Sequence, residues 1–493
     1  MRLLPYQKPV MDYARSRSRI ALFMDMRLGK TIVTIHWARE RKLRRVLLVA
    51  PQPTLVGRDM WEGELQRAGF PVTMLHTIPD KADRLARAEW QWLPIKAAVA
   101  VGIEARFHDA SEPLLPFEFA QATVGMKRKR ATGWFGINYE ALRTMPELLD
   151  LPWDAIVLDE STRIRNPKAQ ITKLIVRNTG HVEHRAILSG LPNPEDPLDF
   201  FEQFHFLIGD FCGFNNYWAC RQTWFYQGAA DWEWLPKKDT REKIKTFVHE
   251  HAYFLSRKKA GVGSKKVYET RTVPLSPVQR RQVGQIARDM AVGEVETKWT
   301  PVAHTWLQKI AGGFTPTGKP ELMSDAKPKA LRELVLETFP TQSIVVWFHF
   351  NHEIDCLYEM LHKIKRLTVE RCYGATPVRE RAKIQERFQN GETRVLLIQI
   401  ALGQFGWRLD RSSTVIYYSN SYEFEDRAQS EDRVIHVKKT EPVLYIDLVT
   451  LDSTDEDVVD ALHDKKSNAK SFSRDLASRL TARLRRVLPG DIL

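Results

Sequence analysis

Met24-Asp25-Met26-Arg27-Leu28-Gly29-Lys30-Thr31 is the stretch on which the fold turns. An apolar run, Ile20-Ala21-Leu22-Phe23, leads into it, and a helix-forming stretch, 32–41, leads out. Strand, short loop, Gly-Lys-Thr and helix is an arrangement that holds a nucleoside triphosphate. Loop amides and the helix N-terminus point at the phosphates, the lysine reaches the outer phosphates, and the threonine hydroxyl meets a magnesium ion. A full loop of this kind has a further glycine five residues before Gly29, where this chain has Met24. Taken alone, the stretch leaves two readings open: a phosphate loop, or a plain strand-to-helix turn.

Around it, residues 1–210 alternate short apolar runs with helical stretches. The runs 20–23, 46–50, 155–158 and 186–189 are nearly continuous in apolar residues, as parallel strands buried on both faces require. The segment 76–133 is irregular and carries Lys127-Arg128-Lys129-Arg130, which suits either a DNA-touching loop or a disordered insert. Residues 200–325 lose the alternation. They hold Trp218, Trp224, Trp232 and Trp234, then Lys237-Lys238 and Arg257-Lys258-Lys259, and are expected to form a mostly helical insertion with basic linkers. Rings beside basic residues can stack on bases or serve as the core of a small helical subdomain. From about 327 the alternation returns, with strands expected at 344–348, 395–400, 415–418 and 443–449 and a helix over 377–388. Residues 471–488 read as a basic amphipathic helix, with Leu476, Leu480, Leu484 and Val487 on one face and Arg479, Arg483 and Arg486 beside them. The expected fold class is α/β: two lobes with parallel sheets and a mostly helical insertion between them. The expected boundaries are 1–205, with an irregular insert near 77–133, then 206–325, 326–465 and 466–493.

A chain of 493 residues has room for about two to four domains. Its 43% hydrophobic and 27% charged content is ordinary for a globular protein. No apolar run approaches the roughly 20 residues of a membrane span, and the first residues lack a secretory h-region. Cys212, Cys220, Cys356 and Cys372 form no Cys-x-x-Cys pair, which suggests neither a disulfide frame nor a zinc site and fits a reducing cytoplasm. Lys and Arg number 74 against 61 Asp and Glu, a net charge of +13. Such an excess favours a polyanionic partner, most simply nucleic acid, or else is a solvated basic surface.

Further chemistry sits at strand ends. Ile156-Val157-Leu158-Asp159-Glu160 is a buried run closing on two acids. In a nucleotide hydrolase the first acid holds the magnesium shell and the second polarises the attacking water. Leu188-Ser189-Gly190-Leu191-Pro192-Asn193 is a strand end with a hydroxyl and a tight turn, either a coupling element or an ordinary turn. Gln429-Ser430-Glu431-Asp432-Arg433 lies in the second lobe. Arg433 suits either of two roles: an arginine placed on phosphates bound by the other lobe, or a surface ion pair with Glu431 or Asp432.

In this order the motifs resemble those of the Swi/Snf-type translocases of helicase superfamily two, in a compact phage or bacterial form, from Leu4 to about Leu462. Leu4-Pro5-Tyr6-Gln7 is similar to the family's opening motif, whose glutamine reads adenine, and residues 24–31 resemble its phosphate loop. Val49-Ala50-Pro51 and Ile137-Asn138-Tyr139-Glu140 resemble its DNA-side motifs. Asp159-Glu160-Ser161-Thr162-Arg163-Ile164-Arg165-Asn166 resembles its Asp-Glu-Ala-His stretch. Tyr373-Gly374-Ala375-Thr376 with Arg381 and Phe388, the glycine-rich segment 401–409, the segment 429–436 and Thr454-Asp455-Glu456 resemble second-lobe motifs. Three positions depart from the pattern: Arg27 stands at a loop glycine, His436 replaces a second arginine, and segment 401–409 is one residue longer.

The resemblance implies two RecA-like lobes and a DNA-dependent ATPase that moves along duplex DNA, with ATP and Mg2+ as cofactors. It implies Lys30, Asp159, Glu160 and Arg433 as catalytic residues. Gln7, Leu28, Gly29, Lys30, Thr31 and Gln429 would bind ATP, and Thr31 and Asp159 the metal. Thr54, Tyr139, Arg165, Asn166, Lys168, Gln404 and Trp407 would touch DNA. Double-stranded DNA is the expected partner, with single-stranded or forked DNA as the alternative, no membrane, and a bacterial or phage-infected cytoplasm as the setting. Rival functions are a strand-separating or annealing helicase, and a DNA-binding module whose ATPase has decayed. The side chain of Arg27 is expected to face away from the phosphates.

Overall fold

The computed structural model describes residues 2–57, 60–94, 126–190, 196–228, 234–289, 291–292, 295–296, 300–404 and 406–463. The basic C-terminal helix, most of the irregular insert and residues 191–193 of the third motif lie outside the described residues, as does Trp232. The chain divides into two compact units, Met1–Ser256 and Arg257–Leu493. Among the described residues no helix is long and apolar enough to cross a membrane.

The first unit is built on a seven-stranded sheet. Its strands are β1 (Arg19–Met24), β2 (Arg45–Ala50), β3 (Val72–Met74), β4 (Gly133–Asn138), β5 (Ala155–Asp159), β6 (His184–Ser189) and β7 (Ala252–Leu255). They pair in the order β7-β1-β6-β5-β2-β4-β3, each pair parallel. Every residue of β2, β4 and β5 is buried, as the unbroken apolar runs require. Helix α1 (Lys8–Arg15) precedes β1, and α2 (Lys30–Glu40) connects β1 to β2. On one face, α3 (Phe201–Ile208) packs its phenylalanines onto the sheet: Phe23 meets Phe204 at 6.3 Å, and Phe204 meets Phe247 at 5.5 Å.

Strand β6 lies between β1 and β5, so the two chemically marked turns are close neighbours. Phe23 is level with Ser189, and Asp159 with Leu188. The loop after β1, the end of β6 and the acids after β5 therefore emerge side by side at the carboxyl edge of the sheet, where open α/β folds bind ligands.

The second unit has a six-stranded sheet of β8 (Lys266–Val273), β9 (Ile344–Phe348), β10 (Val369–Cys372), β11 (Val395–Gln399), β12 (Thr414–Tyr417) and β13 (Val443–Thr450), again parallel, in the order β8-β13-β12-β9-β11-β10. Its two faces separate by strict alternation. Val345 and Trp347 enter one core with Leu396, Ile398 and Tyr417, while Ile344, Val346 and Phe348 enter the other with Leu397 and Ile416.

The stretch 206–325 holds the expected helices, among them α4 (Tyr217–Trp224), Thr240–His251 and Thr300–Ala311. It also supplies an edge strand to each sheet, β7 and β8, and so belongs partly to each unit. Neither strand has a long apolar run to announce it.

In the second unit α5 (Asn351–His362) carries Glu353 in its first turn, fully buried. One carboxyl oxygen accepts hydrogen bonds from Ser419 Oγ and the Phe350 N–H, and the other, against Gly312, has no hydrogen-bond partner. Lys327, whose charge acts on Glu353, is itself paired with Asp455 at 2.5 Å. Burial pushes the Glu353 carboxyl up from 4.5 to about 7. The folded state therefore holds a proton that the unfolded chain releases. The contribution of Glu353 to stability is fully present below pH 4.5 and is lost as the pH rises from 4.5 to about 7. A shift of this size corresponds at most to about 3 kcal/mol. Glu353→Gln is expected to flatten this part of the stability profile, measured as the thermal midpoint between pH 5 and 8; an unchanged slope would show that Glu353 does not titrate there.

Candidate nucleotide site

The loop leaves β1 at Met24, and Asp25 N–H bonds Leu255 O on β7 at 2.9 Å. Two residues of the loop have left-handed backbone, Arg27 at φ 64° and Gly29 at φ 84°. This region favours glycine, since a side chain there crowds the carbonyl and costs about 1–2 kcal/mol. The backbone at Arg27 thus has the shape for which the resembling family keeps glycine, and in this chain an arginine, half-buried, adopts it.

Gly29 is constrained twice. Beyond its φ, a Cβ there would overlap Nε2 of Gln7. Gln7 sits in the turn Pro5–Gln7 and is 1% exposed. Its Nε2 donates to Leu28 O at 2.9 Å, and its Oε1 accepts from Leu4 N–H at 2.8 Å. The N-terminal segment is thereby fastened to the loop. Gly29 also brings no side chain to cap α2, so the first amides of that helix are not covered by a cap and face the loop. Lys30, the first helical residue, folds back and donates from Nζ to Met24 O at 2.8 Å. A Cβ on Gly190, past the end of β6, would come within 3.3 Å of that ammonium. Thr31 follows, half-buried.

Asp159 ends β5 and is 8% exposed. Trp61 Nε1 donates to one carboxylate oxygen at 2.8 Å, and Glu160 N–H to the other at 3.1 Å. Burial raises its pKa, while the Trp61 hydrogen bond and the charge of Lys30 pull it back. Glu160 is half-buried and takes a left-handed backbone at φ 50°, turning the chain sharply after the strand. Ser161 Oγ then donates to Gln203 Oε1 at 2.6 Å, tying the turn to α3. Lys30, Thr31, Asp159 and Glu160 are thus gathered at one sheet edge. A threonine hydroxyl and one carboxylate form a hard-oxygen pair suited to Mg2+, which binds through few protein ligands and takes the rest from phosphate and water.

In the second unit, Gln429 and Arg433 lie on and just after α6 (Phe424–Asp432). Arg433 Nε donates to Gly403 O at 2.6 Å. The expected alternative, an ion pair with Glu431 or Asp432, is not what engages those acids. Glu431 bonds Lys266 at 2.7 Å and Arg427 at 2.8 Å, and Asp432 bonds Arg257 at 2.5 Å and Lys266 at 3.2 Å. Arg427 also grips Asp447 of β13 through both terminal nitrogens, at 2.5 and 3.0 Å. Burial alone would raise both acids, but Lys266 and the arginines hold them below their ordinary values.

Two expected DNA contacts are corrected. Tyr139 is 4% exposed and its hydroxyl donates to Asp159 O at 2.8 Å; it is core that braces the acid turn. Trp407 is 3% exposed, within a core of the second unit. Arg165, Asn166 and Lys168 are exposed on the turn after Glu160, and Asn166 Oδ1 accepts from Lys168 N–H at 2.9 Å. Thr54 is half-buried, its hydroxyl on Pro51 O at 2.9 Å. The backbone of Gln404 closes the turn Ile400–Gln404; its side chain lies outside the described residues.

Trp61, Gln203 and Arg427 were missed by sequence reasoning. Nothing near Trp61 or Gln203 marks them. Arg427 had two signals: its spacing of four from Glu431, and an acid, Asp447, in the apolar run of β13 that had to find a buried cation.

Comparison with known proteins gives the family. A profile of the SNF2-related domain matches residues 6–298, and one of the helicase conserved C-terminal domain matches 326–438. Relatives include the ATP-dependent helicase fft1 of Schizosaccharomyces pombe, 28% identical over 36% of this chain and 18% of its own length. The Caenorhabditis elegans homolog of SWI/SNF-related matrix-associated actin-dependent regulator of chromatin subfamily A-like protein 1 is 23% identical over 92% of this chain and 59% of its own length. The Drosophila melanogaster protein of that name is 24% identical over 65% and 41%. The chain therefore spans less than two thirds of these relatives. Among solved structures, the Sulfolobus solfataricus SWI2/SNF2 ATPase core in complex with dsDNA aligns over 99% of this chain and 97% of its own, at 18% identity and a TM-score of 0.40. With its first profile match alone covering more than half of its residues, the chain belongs to the SNF2-related family.

Proposed function

We propose that this chain is a DNA-dependent ATPase that translocates on duplex DNA. The observation that carries the reading is the meeting of Lys30 with Asp159 and Glu160 at one sheet edge, beside a helix start without a side-chain cap. Lys30 exchanges the Met24 carbonyl for the outer phosphates of ATP. The α2 amides and Gly29 take the inner phosphates, Gln7 reads the adenine, and Leu28 and Gln429 are further ATP contacts. Thr31 and Asp159 hold Mg2+, which when bound neutralises phosphate charge. Glu160 polarises the attacking water, and Arg433 stabilises charge on the transferring phosphoryl group. Arg165, Asn166, Lys168, Thr54 and Gln404 contact the DNA backbone. Such contacts carry no sequence information, so binding is sequence-tolerant and strongly salt-dependent. Arg27 keeps its side chain away from the phosphates, the loop needing only its backbone there.

ATP turnover is expected to rise at least about tenfold on addition of duplex DNA and to fall by more than a hundredfold in Lys30→Ala and Glu160→Gln, in line with the loss of a general base or a phosphate-binding charge. Equal turnover with and without duplex would contradict the proposal, and ATP binding without phosphate release would favour the decayed ATPase. Gly29→Ala meets both a left-handed φ and the Gln7 amide. It is expected to weaken ATP binding in calorimetry by about tenfold or more, at a stability cost of about 1–2 kcal/mol; wild-type affinity would show that the loop does not hold the phosphates.

A further inference from the structure

Helix α4 is anchored and yet presents a large ring outward. Asn216 caps its start, its Oδ1 accepting from the N–H groups of Trp218 and Ala219 at 2.9 and 3.1 Å. Cys220 is fully buried, and Tyr217 and Trp224 pack against the first unit's core. Trp218, on the other side, is 39% exposed. Trp224 and Trp234 pack on that cluster, as part of the first unit's main core and not of a separate helical subdomain. Trp218 does not pack there.

What surrounds Trp218 is cationic. The Arg221 guanidinium lies 4.5 Å from its ring centroid and 4.1 Å from that of Trp234, and so is sandwiched between two indoles. Its Nε is buried without a hydrogen-bond partner. The Lys168 ammonium lies 5.5 Å from the Trp218 ring, and Lys243 lies 5.7 Å from Trp224. None of these three cations is within ion-pair distance of a carboxylate among the described residues. Among the described residues the cluster therefore carries positive charge without an ion pair, set beside a ring that remains partly exposed. Lys168 also belongs to the turn that bears Arg165 and Asn166, so the ring continues the surface assigned above to the DNA backbone.

We propose that Trp218, fixed by Arg221 and flanked by Lys168, is a stacking platform for an unpaired base, through which the chain engages single-stranded DNA continuing from a duplex. A base has a π-face whatever its identity, and stacking on an aromatic ring beside cations is how single strands are gripped without sequence preference. Arg221, locked between rings, sets the plane of the indole. Lys168, on a long exposed stem, swings from the ring to the phosphate of the stacked nucleotide. This inference rests on the reading of the chain as DNA-binding, but it adds a substrate feature that duplex translocation does not require.

The test is fluorescence anisotropy on a blunt duplex and on the same duplex with a single-stranded tail, with the full chain and its Trp218→Ala, Trp218→Leu and Trp218→Phe variants. The wild type is expected to bind the tailed duplex about tenfold more tightly than the blunt one. Trp218→Ala and Trp218→Leu should lose that preference while keeping the wild-type thermal midpoint and blunt-duplex affinity, and Trp218→Phe should retain most of it. A wild type with no tail preference, or a preference that survives Trp218→Ala and Trp218→Leu, would overturn the inference. So would an equal loss on both DNAs in a stably folded variant, which would make Trp218 a duplex contact. Failure of the ATPase reading appears separately, as turnover that duplex does not stimulate.

Discussion

The buried amide of Gln7 lies against the backbone of Gly29, and much of the first unit's chemistry depends on that contact. The amide holds the Leu28 carbonyl, and the missing Cβ of Gly29 is what lets it do so. With Gly29 in the left-handed region, the chain turns from β1 directly into α2, and Lys30 becomes the first helical residue, aimed back over the loop. The opening turn Pro5–Gln7, far from β1 in function if close in sequence, is thereby made part of the loop. An added methyl would force a choice between moving Gln7 and unwinding the start of α2. The opposite wall is equally fixed: Trp61 and Tyr139 hold the side chain and carbonyl of Asp159, so the acid keeps its place although burial opposes its charge.

The second unit solves a different problem. Its arginine motif is carried by a short helix whose last acids are buried, and the charges are arranged so that none is left alone. Arg257, Lys266 and Arg427 face Glu431, Asp432 and Asp447, three cations against three anions. Buried pairs of this kind contribute little net stability over an apolar core, but removing one partner costs about 3–5 kcal/mol. Their effect is positional. They fix α6 against β13 and β8, and with it the start of the side chain of Arg433.

Much of this was legible in the residues. The strands at 20–23, 46–50, 155–158 and 186–189 lie within β1, β2, β5 and β6, because strands buried on both faces cannot avoid an apolar run. The edge strands β7, β8 and β10 were not legible. An edge strand buries less, and Lys266–Val273, with alternating charged and hydroxyl residues, reads as a linker until β13 is there to pair with it. Lys30, Asp159 and Glu160 could be singled out in the sequence because Lys30 opens a helix just after a strand and a short loop, and the two acids close a buried strand. Tyr139 and Trp407 were misassigned as DNA contacts because a motif fixes position in the chain and not the direction of a side chain; both rings turn inward. Arg27 shows the converse. It stands where the resembled pattern has glycine, and its positive φ is one that glycine adopts freely and an arginine adopts with strain.

Whether the loop and the Asp159 turn form one phosphate-binding site is decided by a crystal structure with a non-hydrolysable ATP analogue and Mg2+. Lys30 Nζ is expected to leave Met24 O for an outer phosphate oxygen, with Thr31 and Asp159 on the metal and the Gln7–Leu28 hydrogen bond intact. A nucleotide bound elsewhere, with Lys30 still on the Met24 carbonyl, would contradict it.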